Sequence, residues 1–401
     1  MPSSSASSHL SWICSARAAP QCSKPEETRT MKTLARAIVP AIALCALPAH
    51  AQEVKADEKG LTLDAGPLQL NLGGRLHLDA SVFDDPALQR TDVTSTDVRR
   101  ARIELSGKVG EILRFRVDRE FAGARGWRNL WASIEPVKNV EIKGGNMIVP
   151  FSMEDLQSSN ATPFAERSMA SALTGGFGLG GAISSGGRNW SASVGYFTDA
   201  LANDEGRTTE RGKGVVGRIT FAPVRSRKAI VHLGLGGERR TFSAIERVRF
   251  TADPGSVFAP NIMSSGTLGS LETLNALNVE AAVSLGPVLV QAQSLSLKLN
   301  RTLRDNRSFN GQTVQVGWIV TGQRHAYSAS SGIFGGPERR KGGGALELAV
   351  RYSRLDLVDG TFDRGIGRAL SASAIWTIST NLRLLATYTD NRVRFPSGGR
   401  R

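Results

Sequence analysis

Beyond residue 66 the chain alternates apolar and polar side chains in short blocks, with the two-residue period of a strand rather than that of a helix. In the first block Leu68, Leu70, Leu72, Leu76, Leu78 and Ala80 share one face, and Gln69, Asn71, Arg75, His77 and Asp79 share the other. The second sets Ala101, Ile103, Leu105 and Val109 against Arg100, Arg102, Glu104, Ser106 and Lys108. The third sets Leu113, Phe115, Val117 and Phe121 against Arg114, Arg116, Asp118 and Glu120. Read this way throughout, the chain is expected to form strands near 68–80, 98–109, 112–121, 127–135, 139–148, 176–185, 189–198, 213–222, 228–238, 275–285, 287–299, 311–322, 344–355, 367–377 and 381–389.

Alternation of this kind also suits a secreted sandwich. Two features favour a membrane barrel. Several polar faces carry full charges in series, more than a solvent-facing sheet needs. The connections also alternate in length, as barrels with short turns at one end and longer loops at the other require. The short ones include Glu135–Asn139, Ser185–Asn189, Gly286-Pro287 and Ser379–Asn381; the long ones are Asp84–Thr96, Val149–Gly175, Ala200–Gly212 and Arg239–Thr273. Only helices and closed barrels satisfy every backbone polar group inside lipid. After the first 51 residues there is no run of 18 apolar residues, so a spanning helix is not on offer.

The N-terminus has a different character. Met31-Lys32-Thr33-Leu34-Ala35-Arg36 is a charged start, Ala37–Leu47 is a short apolar core and Ala49-His50-Ala51 is a small-x-small cleavage site. That is the layout of a secretory signal peptide. Ile42-Ala43-Leu44-Cys45 imitates a lipoprotein site, but Leu44 is too bulky beside the cysteine. The expected organisation is an extra leader over 1–30, a signal peptide over 31–51, a short periplasmic segment over 52–66 and a barrel over 67–401, with a loop folded inward near 149–175. Cys14, Cys22 and Cys45 all precede the cut, which removes disulfides and thiolate metal sites from the exported part. Removing five basic and two acidic residues lowers the net charge from +14 to +11.

Charged residues make up 21% and hydrophobic residues 40% of the chain, which suits neither a disordered chain nor a helical membrane protein. No H-E-x-x-H, G-x-S-x-G or phosphate-loop pattern occurs, so no enzyme, metal or cofactor is expected. The glycine runs at Gly176–Gly181 and Gly234–Gly237 lie in strand-like sequence, where glycine permits bending and close packing. His77, His232 and His325 stand far apart with no ligand spacing. The basic balance would suit nucleic acid, but an export signal argues against that partner.

A more specific reading begins at Gly145. Gly145-Asn146-Met147-Ile148-Val149-Pro150-Phe151-Ser152-Met153-Glu154 leads on to Phe164-Ala165-Glu166-Arg167-Ser168. This resembles the signature of the phosphate-selective porin O/P family, a strand ending in G-x-x-x-V-P-F-x-x-E whose following loop closes on F-x-E-R-S. Further matches follow in order: Arg99-Arg100-Ala101 with Glu104-Leu105, Gly217–Pro223, His232-Leu233-Gly234, Ser265-Gly266-Thr267, Glu280-Ala281-Ala282, Thr321-Gly322-Gln323-Arg324 with Tyr327, and Gly344–Glu347 with Arg351-Tyr352-Ser353. The resemblance implies an all-β transmembrane antiparallel barrel of about 16 strands in the outer membrane of a Gram-negative bacterium, a homotrimer with inward loops and a basic pore. Two departures stand out. The chain offers fifteen strands and no final strand ending in an aromatic residue, so the closing strand is expected to be missing. Gln323 also replaces the acidic residue that commonly ends the T-G-E triplet.

An anion entering a constriction sheds water, and the pore must replace those hydrogen bonds. Arginine suits the task because its planar fork matches phosphate oxygens and does not deprotonate. A row of weak sites conducts better than one tight site. The expected anion-binding row is Arg100, Arg102 and Arg116 on the strands, Arg167 in the long loop, and Arg239, Arg240, Arg247 and Arg249 around the fifth outer loop. In Glu246-Arg247-Val248-Arg249-Phe250 the two arginines project to one side, where the family carries an arginine-rich inward loop. The competing role for the strand arginines is pairing with lumen carboxylates such as Asp118 and Glu120. Glu154, Glu166 and Arg167 are expected to brace the loop, and Arg339-Arg340-Lys341 to form a solvated turn. The leading expectation is passive diffusion of small anions, phosphate or polyphosphate, with outer-membrane lipid around the barrel. The alternatives are a porin for general or other solutes, an envelope-anchoring barrel without selectivity, and a nonfunctional remnant.

Overall fold

The computed structural model describes residues 53–57, 60–85, 90–206, 210–338 and 344–396; the leader, the signal peptide and the Arg339–Lys341 turn lie outside them. The strands are, in order, β1 (Glu53–Asp57), β2 (Gly60–Ala65), β3 (Leu68–Asp85), β4 (Arg90–Val109), β5 (Leu113–Glu120), β6 (Gly126–Val137) and β7 (Val140–Ile148). After a helical turn α1 (Met153–Leu156) and a 3-10 turn η1 (Met169–Leu173) come β8 (Phe177–Gly186), β9 (Trp190–Thr198), β10 (Lys213–Arg225), β11 (Ala229–Thr241), β12 (Thr251–Ala252) and β13 (Met263–Ser264). The chain continues with β14 (Leu271–Leu285), β15 (Val288–Arg301), β16 (Arg307–Ile319), β17 (His325–Ser328), β18 (Ile333–Pro337), β19 (Ala345–Asp359), β20 (Phe362–Thr377) and β21 (Arg383–Arg394). Seventeen of them form one antiparallel sheet in chain order, while β12–β13 and β17–β18 are separate ribbons inside connections.

All fifteen strands read from the alternation form. Three features differ from the sequence reading. Within the short N-terminal segment, where the alternation predicts no strand, β1 and β2 make a hairpin whose β2 pairs with Leu68–Leu72 of β3. Asp84–Thr96 is not a long loop, because β3 and β4 stay paired out to Asp85 opposite Arg90. The Thr91–Thr96 stretch lacks apolar alternation but is rich in threonine and valine, which favour extended backbone. The length alternation also breaks at residues 320–344, a long connection at the end of the sheet that otherwise has short turns. Among the described residues no pairing joins β1 to β21, so the sheet is not closed by strand hydrogen bonds.

The two faces separate as lipid and water demand. Outward positions are apolar and exposed, among them Leu76, Ile103, Ile219, Leu235, Val279, Val316, Val350 and Leu370. Exposed Trp190, Phe221, Trp318 and Trp376 ring the turn end, and Phe121, Trp127 and Tyr196 lie towards the loop end. Such aromatic girdles mark the two membrane interfaces of a spanning barrel. Inward positions are polar near the middle, with Glu280, Asn278, Gln291 and Ser371 buried. Towards the loop end they become apolar, and Leu274, Leu297, Leu299, Phe309, Leu355 and Leu357 join one buried cluster with Phe151, Leu173 and Phe250 from the connections. The main apolar core thus lies inside the sheet, where two long connections pack on its inner face.

Gly145 and Gly236 show why backbone shape matters here. Gly145 has φ of 132°, a conformation side chains rarely adopt, and a Cβ there would lie 2.2 Å from the Leu130 carbonyl oxygen. At Gly236 a Cβ would lie 2.1 Å from the carbonyl oxygen of Phe151, so this glycine lets the inserted loop rest directly on the wall. Replacing Gly236 by Val is expected to keep the strand, which valine favours, but to lift the loop. Single-channel recording should then show altered conductance from a barrel that still runs as a folded band on unheated gels.

Candidate solute pathway

Two inserted segments divide the lumen. The first, residues 149–176, crosses it from β7. Its Ser152 caps α1 by accepting from the Asp155 N–H at 3.2 Å, and Glu154 accepts from the Ser168 N–H and hydroxyl at 2.7 Å each. Arg167 donates to the carbonyls of Glu154, Asp155 and Gln157 at 3.1, 2.9 and 3.2 Å. The loop then reaches the wall on both sides: Arg75 Nη1 to Ser159 Oγ at 3.0 Å, His77 Nε2 to Asn160 Oδ1 at 3.0 Å, and Arg383 Nη1 to the Asn160 carbonyl at 2.9 Å. Arg99 grips Glu166 through Nε and Nη2 at 2.5 and 3.0 Å, and Arg351 lies over the Phe164 ring at 4.2 Å.

The second segment, described over residues 320–338, enters from the turn end and carries β17 and β18. Arg218 Nη1 donates to the Ser331 carbonyl at 2.9 Å and Nη2 to the Gly332 carbonyl at 2.7 Å. His232, fully buried, has Nδ1 2.9 Å from Tyr327 Oη and Nε2 3.3 Å from Glu280 Oε1. The two segments meet. Gln157 Nε2 donates to the Phe334 carbonyl at 3.2 Å, and Met153 and Phe334 share a small apolar cluster.

Both segments lie against β10–β20, whose inward side chains are consequently buried: Arg218, His232, Glu280, Gln293, Thr313, Arg351 and Ser373. The first segment touches the other side through Arg75, His77 and Arg99, but there inward Asn71, Arg75, His77, Arg100, Glu104 and Arg116 of β3–β5 keep partial exposure. The more accessible charges, beside buried Arg102, Asp118 and Glu120, therefore lie along the β3–β6 wall. Its charges form a ladder: Arg75 to Glu104 at 2.5 Å, Arg102 to Glu120 at 2.9 Å, Arg116 to Glu104 at 2.9 Å and Arg116 to Asp118 at 2.8 Å.

Two arginines stand outside the ladder. Among the described residues the Arg100 side chain makes no hydrogen bond or ion pair, and Arg128 has a buried Nε without a partner while its guanidinium lies 4.8 Å from the Phe177 ring centre. Arg100 stands next to a β-bulge and Arg128 within one. His77 pairs with Arg100 and Leu78 with Val98, leaving Arg99 as an extra residue. Val117 pairs with Leu130 and Arg119 with Trp127, so Arg128 and Asn129 together oppose Asp118. A bulge re-aims side chains that strict alternation would send outward, and Arg99 and Arg128 join the lumen this way.

The other arginines named from sequence separate clearly. Arg102 and Arg116 are paired on the ladder, and Arg167 braces the loop from within. Arg240 is buried, with Nη1 donating to the Gly212 carbonyl at 3.1 Å and Nε to Glu238. Arg239 differs from the lumen position expected of it: β11 runs on to Thr241, so neighbouring residues face opposite ways and Arg239 takes the outer face. Arg247 and Arg249 are exposed, opposite buried Val248 and Phe250, with Arg249 Nη2 donating to Thr267 Oγ1 at 2.7 Å. Among the described residues no group of acidic, histidine and cysteine side chains is arranged to hold a metal.

A wide antiparallel sheet, apolar outside and charged inside, with girdles at both ends and a lumen narrowed by inserted segments, defines an outer-membrane porin. The chain belongs to the phosphate-selective porin O and P family, whose model matches residues 70–395. An uncharacterized protein of Caulobacter vibrioides is 26% identical over 350 residues, covering 81% of this chain and 69% of that one. Among solved structures, OmpT of Vibrio cholerae in its trimer form superposes with a TM-score of 0.52 at 11% identity, covering 82% of this chain and 90% of its own. The outer membrane channel DcaP of Acinetobacter baumannii gives 0.52 at 12% identity, covering 83% and 93%.

Glu280 is the test of how the inserted segments are held. Glu280→Gln leaves Arg218 buried without its carboxylate, a change that typically costs about 3–5 kcal/mol. The temperature at which the folded band converts to the unfolded one should fall markedly, whereas Lys108→Ala on the accessible wall should leave it nearly unmoved.

Proposed function

We propose that this porin passes small anions, phosphate-like solutes among them, along the β3–β6 wall, and that it works as a homotrimer. The observation that carries the reading is the pair Arg100 and Arg128, which face the lumen with no carboxylate partner among the described residues. Among the described side chains of β3–β6 every other arginine meets an acid, so these two add positive charge that no acid offsets by pairing. Arg102 and Arg116, shared with Glu104, Asp118 and Glu120, contribute a graded field rather than free donors, which suits entry and release. Arg247 and Arg249 add cations on the exposed side of the fifth loop. The family name and the trimer form of the Vibrio cholerae relative support phosphate and the trimer respectively.

A porin for general solutes is the second reading, favoured by the extensive pairing of charges on the wall. Reversal potentials under a potassium chloride gradient separate the two. The wild-type channel should prefer chloride, and phosphate should block the chloride current. Arg100→Ala with Arg128→Ala should weaken that block about tenfold, the size of one lost charge-assisted hydrogen bond. Arg247→Ala with Arg249→Ala should weaken it less; a block unchanged in both variants would move the binding row elsewhere.

Acidity should sharpen the preference. Asp253, in the connection after β12, is raised above the ordinary carboxylate range by burial and by the Glu166 charge, against the opposing pull of the Gly255 N–H, Arg99 and Arg351. As pH falls it takes up a proton before an ordinary carboxylate does. A negative charge beside Arg99 is then lost and the lumen becomes more positive. The anion-to-cation permeability ratio should therefore rise on acidification, and Asp253→Asn should start higher at neutral pH and respond less.

A further inference from the structure

The outer wall carries a feature that conduction does not use. Gly217 of β10 and Gly237 of β11 are direct cross-strand partners on the lipid-facing side. A Cβ at Gly237 would meet nothing within 4 Å, and at Gly217 the nearest atom is the Ser193 carbonyl oxygen at 3.2 Å. The two missing side chains leave a furrow of about 450 Å³, walled by Ile183, Val194, Ile219, Leu235 and Leu277. One hydrogen-bonded row nearer the loop end, the outward positions run Tyr196, Val215, Arg239, Asn275 and Lys298 across five neighbouring strands. Arg239 and Lys298 are exposed, and Lys213 lies exposed one further step up β10. Neither this row nor the furrow row holds an acid.

We propose that this face binds a phosphate-bearing, multi-acyl lipid of the outer leaflet, with an acyl chain in the glycine furrow and a phosphate on Arg239 and Lys298. Depth supports it. Longer loops face the exterior in such barrels, which puts this row in the outer half of the membrane, and Tyr196 marks the level where interfacial aromatics meet headgroups. Reach supports it as well. Arg239 and Lys298 are two strands apart, about 10 Å at the usual spacing, within the span of two flexible cationic side chains closing on one headgroup. Cations on a membrane-facing surface without acids draw anionic lipid rather than a zwitterionic one. The lining is mostly apolar, with Ser185 the polar side chain on its outward face, so an acyl chain can lie there at little cost.

The protein isolated from outer membranes in mild detergent is titrated with lipid A and with its dephosphorylated form, reading the temperature at which the folded band is lost. Lipid A should raise that temperature more than the dephosphorylated form. Arg239→Gln with Lys298→Gln should remove the phosphate-dependent part, shifting half-saturation by about tenfold. Gly237→Leu, placed in open space, should keep the folded band and abolish the remaining, chain-dependent part. An equal response in wild type and the Arg239/Lys298 variant would overturn the phosphate contact. Loss of the trimer band in Gly237→Leu, with the lipid response intact, would overturn the lipid assignment and give the furrow to a second copy of the chain.

Discussion

The carboxylate of Glu280 collects donors from the wall and from an inserted segment. Its oxygens take Arg218 Nε at 2.8 Å, the Met153 N–H at 2.9 Å and Asn278 Nδ2 at 2.9 Å, with His232 Nε2 at 3.3 Å. A carboxylate only 1% exposed is costly unless such donors surround it. Met153 opens the helical turn of the loop from one end of the barrel. Arg218, held by the same carboxylate, fixes the carbonyls of the segment from the other end. One buried charge thus joins both segments to the β10–β20 side, and the β3–β6 side, touched by the loop through Arg75, His77 and Arg99, keeps the partly exposed charges.

That placement explains why so wide a sheet is not an empty pipe. Sheets of many strands enclose more space than their own side chains fill. Here Phe151, Leu173, Val248 and Phe250 of the connections fill the loop end against Leu274, Leu299 and Phe309 of the wall. The filling is one-sided, so it narrows the lumen and also selects which charges solute meets. The ladder of Arg75, Glu104, Arg102, Glu120, Arg116 and Asp118 is then a wall whose pairs hold each other in place, with Arg100 and Arg128 as its unpaired members.

The strands were legible because lipid on one face and water on the other impose a two-residue period that few other settings impose so often. The same rule misplaced individual arginines. Counting outward from Ile103 and Ala101 sends Arg99 to the lipid, and counting from Ile134 and Leu130 sends Arg128 there as well. Each bulge inserts one residue and reverses the face. Arg239 went astray for the complementary reason, since β11 continues past the point where apolar residues stop. The pairing of Arg102 with Glu120 could be suspected from neighbouring blocks of opposite charge, but not assigned, because strand register is not written in either block alone. The inserted segment at 320–344 left a faint trace: a long gap between strands where a short turn belonged.

The inward loop also has a mechanical role that bears on how its charges are understood. Ser159 and Asn160 are bound by Arg75 and His77 of β3, while Asn160 and Thr162 are bound by Arg383 of β21. These strands lie at opposite ends of the sheet order, and no strand pairing among the described residues joins them. Ser373 Oγ adds a donor to the Pro163 carbonyl at 2.6 Å, and Arg351 one to the Glu166 carbonyl at 2.9 Å. The loop is therefore a tie between distant parts of the wall as well as a constriction. Arg167, held in the tie by three carbonyl contacts, cannot be removed without loosening it, so loss of current on its replacement would report assembly as much as selectivity. Arg100 and Arg128 have no such duty. Arg100 stands beside a bulge and Arg128 within one, in strands held by neighbours on both sides, which makes them the positions where charge can be changed while the frame stays as it is.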